Sequence, residues 1–67
     1  MLLDREIWTS AQAMIRHYGA DARAQAGMRA AGFAEEGDPG GQREWIRIIQ
    51  AITWLQDERP AGPAQRH

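Results

Sequence analysis

The chain has 67 residues, of which 43% are apolar, and its eight arginines and nine acidic residues give a formal net charge of -1. This length allows one domain at most, and no stretch approaches the roughly 18 consecutive apolar residues that a membrane span requires. The absence of cysteine excludes a disulfide framework and a thiolate metal site. The near-zero net charge argues against a general attraction to nucleic acid or anionic lipid. No secretory signal pattern is visible, so we expect a cytoplasmic protein.

The composition favours helices over strands. Valine is absent, and the β-branched residues are six isoleucines and two threonines, with four of the isoleucines in one periodic segment. We therefore predict an all-α domain over residues 1–59, followed by a disordered tail over 60–67. Three short helices, at about 4–18, 21–36 and 39–58, are expected in an up-down arrangement.

The first predicted helix begins with Asp4 as a candidate N-cap and ends at Gly19, because glycine adopts the left-handed conformation that closes many helices. At about 100° per residue, its apolar residues form one stripe, flanked by Trp8 and Ile15. The stripe contains Leu3, Ile7, Ala11, Met14 and Tyr18.

The second predicted helix begins after Asp21 and ends at Gly37. It has two weakly apolar faces, and both consist mainly of alanine. Such a helix suits a position between two close neighbours, but an alanine-rich genome would produce the same pattern, and the sequence leaves both interpretations open. One face carries Ala22, Ala26, Ala30 and Phe33, and the other carries Ala24, Met28 and Ala31.

The third helix has the clearest signals. Asp38 is a candidate N-cap, and Pro39 follows at the first helical position, where its missing N–H costs nothing. Its apolar stripe has the i, i+3, i+4, i+7 spacing of a helix that packs on a core. The members of the stripe are Trp45, Ile48, Ile49, Ile52 and Leu55.

Two large apolar residues of this helix lie outside the stripe. Trp54 points about 180° away from Trp45, and Ile46 about 100° away. They could cap the ends of the second helix or pack under a loop. We favour a second interface, because tryptophan is enriched at binding hot spots and a small core gains stability from association. The expected partner is another copy of the chain in a homodimer, with another protein as the alternative. The interface candidates are Trp54, Ile46, Phe33 and Trp8.

The sequence offers no persuasive catalytic or metal-binding set. Ser10, His17 and Asp21 could be imagined as a triad, but Ser10 lies within a helix and no oxyanion hole is in prospect. We therefore expect no enzyme activity, no cofactor and no metal. A nucleic-acid-binding regulator is the alternative, and the negative net charge argues against it. It would need several of its scattered arginines on one surface: Arg16, Arg23, Arg29, Arg43 and Arg47.

Several motifs occur in a distinctive order: RHYGADA at 16–22, GDPGGQ at 37–42, Trp45, and then RI, AI and LQ at 47–56. In this order and spacing, the chain resembles a family of small uncharacterised helical proteins common in alphaproteobacteria. The resemblance implies a helical fold and brings no activity with it. Tyr18, the pair Ala31-Gly32 and the pair Thr53-Trp54 depart from the family pattern, so an interface at Trp54 would be peculiar to this chain.

A fainter similarity links the first two helices to one unit of a tetratricopeptide repeat. It implies an antiparallel hairpin in which Ala24, Met28 and Ala31 face the first helix.

Overall fold

The computed structural model describes residues 3–58. It contains α1 (Asp4–Tyr18), a short 3₁₀ turn (Gly19–Asp21), α2 (Ala22–Glu35) and α3 (Pro39–Glu58). No strand occurs within this range, so the predicted all-α class is confirmed. The short connections reverse the chain twice, and α1 and α3 therefore run in the same direction. The predicted tail at 60–67 lies outside the described residues.

The core is centred on α3, where Ile48 and Ile52 are almost completely buried. From α1, the three central members of the predicted stripe join them, and Leu3 and Tyr18 at its ends remain exposed. The predicted stripe of α3 is confirmed, because its other members are partly buried against the same cluster. The remaining buried members of the cluster are Ile7, Ala11, Met14, Ala22, Ala26 and Ala51.

Helix α2 buries one face only, and it packs mainly against α3 rather than α1. Its buried face carries alanines at 22, 26 and 30, whose small side chains allow a close approach to the isoleucines of α3. The opposite face is open, and Met28 on it is 66% exposed. The expectation that Ala24, Met28 and Ala31 face α1 is therefore wrong, and α2 is not enclosed between two neighbours.

The beginning of α1 differs from the prediction. Leu3 occupies the N-cap position, and its backbone N–H donates to Glu6 Oε1 at 3.1 Å. Asp4 is already the first helical residue, and its carboxylate pairs with Arg47 instead of capping the backbone. The end of α1 is as predicted, because Gly19 follows Tyr18 with a positive φ of 56°.

A compact turn joins α2 to α3. Gly37 has a φ of 75°, and its N–H donates to the carbonyl of Ala34 at 3.1 Å. The next N–H, of Asp38, donates to the carbonyl of Phe33 at 2.9 Å, which completes a Schellman motif. The Asp38 carboxylate then accepts from the N–H of Gly41 at 3.0 Å and caps α3. The predicted end at Gly37 and the predicted cap at Asp38 are both confirmed. By contrast, Asp21 precedes α2 as predicted but makes no side-chain capping bond.

Gly41 allows the ring of Phe33 to lie directly on the first turn of α3. A Cβ at position 41 would be 2.5 Å from Cδ1 of Phe33 and 2.8 Å from its Cγ. Real Cβ atoms do not approach a ring this closely, so this glycine is required by packing and not by its backbone angle.

Candidate interaction surface

A groove runs between α1 and α3 on the side of the bundle away from α2. It encloses about 370 Å³ and opens to solvent. Two core residues, Ile7 and Ala51, form its apolar floor, and larger side chains rise on both sides. We call this feature the tryptophan groove, and its lining consists of Asp4, Ile7, Trp8, Arg47, Gln50, Ala51 and Trp54.

Two tryptophans form one end of the groove. The ring centroids of Trp8 and Trp54 are 5.5 Å apart, and the planes meet at 76° in an edge-to-face contact. Trp8 flanks the apolar stripe of α1, and Trp54 lies on the side of α3 opposite its apolar stripe. These two side chains meet because α1 and α3 run in the same direction. The contact covers the rings only in part: Trp8 remains 39% exposed and Trp54 54% exposed.

An ion pair forms the other end of the groove. Arg47 donates to Asp4 Oδ1 at 2.7 Å, across 43 residues of sequence. The two side chains are 41% and 83% exposed, so solvent screens the pair, and it contributes at most about 1 kcal/mol to stability. Sequence reasoning missed this pair, because no local pattern connects residues so far apart.

Hydrogen-bond donors line the groove without partners in the described part of the chain. The indole N–H groups of Trp8 and Trp54 and the amide of Gln50 make no hydrogen bond to any residue in 3–58. The second carboxylate oxygen of Asp4 is also without a partner in that range. The groove therefore combines an apolar floor with free donors on its walls.

Ile46 extends the apolar surface beyond the groove. It is 40% exposed and lies four residues before Gln50, which places both on the same side of α3. Trp54 lies another four residues along the same row. The alternative that Trp54 and Ile46 cap α2 or pack under a loop is not what the structure shows, because Trp54 contacts α1 and both remain exposed.

The fourth interface candidate, Phe33, occupies a different place. It is half-buried on Gly41, within the contact between α2 and α3. Beside it, the guanidinium carbon of Arg29 lies 5.3 Å from the centroid of the Trp45 ring, a cation–π contact that ties the same two helices together. The packing of Phe33 within the chain accounts for its apolar side chain without a partner.

Within residues 3–58, the structure does not bring together the residues that the sequence offered for catalysis or metal binding. No hydrogen bond links Ser10, His17 and Asp21, and no group of three or more metal-ligating side chains occurs in this range. Of the arginines considered for nucleic acid, Arg29 lies on Trp45 and Arg47 pairs with Asp4. None of the three described helices combines the length and apolarity needed to cross a membrane.

Comparison with known proteins adds no relative. No protein-family model matches the chain, and no curated protein or solved structure matches it. The resemblance to a helical family therefore stays a prediction.

Proposed function

We propose that the chain is a small protein-interaction module that self-associates through the tryptophan groove and the neighbouring Ile46. The observation that supports this proposal is the exposed pair Trp8 and Trp54 above an apolar floor. Large aromatic side chains that remain half open on a monomer are typical of contact surfaces.

The exposed area sets the expected strength of the contact. Taking about 250 Å² for each tryptophan, exposures of 39% and 54% leave roughly 230 Å² of ring surface open on each copy. At about 25 cal/mol per Å², burying both copies would contribute up to about 11 kcal/mol. Association costs about 4–15 kcal/mol, and a stable interface buries about 800 Å² on each partner. We therefore expect a weak dimer, with a Kd that is micromolar at the tightest and extends toward the millimolar range.

Sedimentation equilibrium over a range of protein concentrations tests the proposal. The parent chain should pass from the monomer mass of 7.5 kDa to twice that mass as concentration rises. Trp54→Glu removes about half of the exposed ring surface and places a carboxylate in the contact. It should weaken association by at least about 100-fold.

Met28→Glu is the matched control, because it also replaces an exposed apolar side chain within a helix, on the open face of α2. It should leave the Kd unchanged, and circular dichroism should show that both variants remain helical. A parent chain that stays monomeric at millimolar concentration would exclude self-association. Equal weakening by both variants would exclude the tryptophan groove as the contact. If the parent stays monomeric, capture of a different protein that Trp54→Glu abolishes would assign the same surface to another partner.

A further inference from the structure

We propose that two copies of the chain associate with their α3 helices antiparallel, about a two-fold axis that passes beside Gln50. This inference rests on the self-association proposed above, and it adds the orientation of the two copies and the residues that meet. Three observations carry it: the spacing of the exposed residues of α3, the order of their chemical types, and the charges at the two ends of the row that they form.

The open side of α3 is a single row of residues. Between positions 41 and 57, every residue outside this row is buried or partly buried, because α1 and α2 cover the other sides of α3. The spacing along the row is three, four, four and three residues, which keeps its members on one face of the helix. We call this face the outer row, and its exposed members are Arg43, Ile46, Gln50, Trp54 and Asp57. It is continuous with the tryptophan groove, which shares Gln50 and Trp54.

The positions of the outer row are symmetric about Gln50. Ile46 and Trp54 lie four residues before and after it, and Arg43 and Asp57 lie seven residues before and after it. A two-fold axis at Gln50, perpendicular to α3, therefore brings Ile46 of one copy to Trp54 of the second copy. The same axis brings Arg43 to Asp57, and each of these contacts occurs twice in the dimer.

The three central residues of the outer row complement one another in this arrangement. Ile46 is 40% exposed and Trp54 is 54% exposed, so each has apolar surface for the other to cover. The amide of Gln50 makes no hydrogen bond within residues 3–58. Because an amide has both donors and an acceptor, the Gln50 side chains of the two copies can bond to each other reciprocally. That bond removes the cost of burying an unpaired amide at the centre of the contact.

Helix geometry allows all of these contacts at once. The outer row spans 14 intervals of about 1.5 Å, or about 21 Å along the axis. At a crossing angle of about 20°, two helices that cross at the middle of this length diverge by only about 4 Å at its ends. The long side chain of Arg43 can span that distance.

Charge favours the antiparallel orientation over the parallel one. Arg43 and Asp57 are exposed and make no ion pair with any residue in 3–58. In the antiparallel dimer, Arg43 meets Asp57 of the second copy at both ends. A parallel dimer would instead place arginine against arginine and aspartate against aspartate, and such like-charge contacts reject an orientation. Asp57 also lies in the last turn of α3, where the helix dipole disfavours a carboxylate and a cation from the second copy would offset that effect.

The first test exchanges the charges at the ends of the outer row and measures the Kd by sedimentation equilibrium. Arg43→Asp opposes two aspartates at both ends of the dimer and should weaken association by about tenfold or more. Asp57→Arg opposes two arginines and should weaken it by a similar factor. The double variant Arg43→Asp with Asp57→Arg restores both pairs with reversed polarity, so its Kd should return to within about threefold of the parent value. In 1 M salt, these differences should disappear.

Arg23→Asp is the matched control, because it makes the same change of residue and net charge at an exposed position of α2. It should leave the Kd unchanged. In a parallel dimer, both single exchanges would leave like charges opposed as they were before, so an unchanged Kd in both would overturn the antiparallel orientation. Weakening in the single variants that the double variant does not repair would overturn the pairing of Arg43 with Asp57.

The second test uses the absence of cysteine from the chain. Gln50→Cys brings two thiols together at the two-fold axis and should give a disulfide-linked dimer in a glutathione buffer. Ile46→Cys places its two thiols on opposite sides of the axis, about 12 Å apart along the helices, which is beyond the reach of a disulfide. Met28→Cys, on the open face of α2, gives the rate of random collision. Equal cross-linking of Ile46→Cys and Gln50→Cys, above that rate, would indicate a parallel dimer and overturn the proposal.

The outcomes separate this inference from the self-association on which it rests. A parent chain that stays monomeric at millimolar concentration would reject both. A dimer that Trp54→Glu weakens, but whose Kd neither charge exchange changes, would retain self-association through the tryptophan groove and reject the antiparallel arrangement. Loss in both single exchanges, recovery in the double variant and selective cross-linking at position 50 would together support it.

Discussion

The glycines of this chain allow one substitution to be tested in two different environments. Gly41→Ala would place a Cβ 2.5 Å from Cδ1 of Phe33 and 2.9 Å from its Cε1, so the ring or the first turn of α3 must move. Gly27→Ala lies in the middle of α2, where an added Cβ meets nothing within 4 Å. The same chemical change should therefore have opposite effects on stability at the two positions.

The magnitudes follow from two competing effects. Replacing glycine by alanine within a helix stabilises by about 1 kcal/mol, whereas overpacking costs about 1–3 kcal/mol. The added Cβ would lie within 3.0 Å of three atoms of the half-buried Phe33 ring, so we take the middle of that range, about 2 kcal/mol. We expect Gly41→Ala to destabilise by about 1 kcal/mol and Gly27→Ala to stabilise by up to about 1 kcal/mol. For a domain of this size, 1 kcal/mol corresponds to about 4–8 °C in Tm.

Thermal and urea unfolding followed by circular dichroism would measure both variants, at a low protein concentration where association contributes little. A double-mutant cycle with Phe33→Ala isolates the steric part. Without the ring, Gly41→Ala should become neutral or stabilising, with a coupling of at least about 1 kcal/mol. If Gly41→Ala raises the Tm as much as Gly27→Ala does, the contact between Phe33 and Gly41 is not present in solution.

Three further substitutions test local features of the fold by the same unfolding measurement. Gly37→Ala should cost about 1 kcal/mol or more, because its φ of 75° is a conformation that alanine resists, and an unchanged Tm would exclude the Schellman turn. Asp38→Ala should cost about 1 kcal/mol by removing the bond to the N–H of Gly41, whereas Asp38→Asn should retain most of the stability; equal losses would argue against the cap. Asp4→Asn should change stability by less than about 1 kcal/mol, and the difference should disappear in 1 M salt; a larger, salt-independent loss would show that the pair with Arg47 is shielded from solvent.

The candidate surface was foreseeable only in part. The helical spacing of α3 places Trp54 and Ile46 off the apolar stripe, and both are exposed in the structure. The sequence did not indicate that Trp54 lies against Trp8, because that contact depends on how α1 and α3 align. The same reason explains why the pair of Asp4 with Arg47 was missed and why Asp4 was assigned to an N-cap instead.

The three helices, the ends of α1 and α2 and the beginning of α3 were determined by local sequence. Apolar spacing, the glycines at 19 and 37, and Asp38 before Pro39 act within a few residues of chain, and the structure has them where those signals lie. Tertiary packing decided which of the two alanine faces of α2 is buried, since both have nearly the same hydrophobicity. The buried face is that of Ala22, Ala26 and Ala30, which packs toward the isoleucines of α3, while the groove between α1 and α3 lies on the side away from α2. Composition specifies how much apolar surface a chain carries, but the docking of the helices specifies which part of it remains open to a partner.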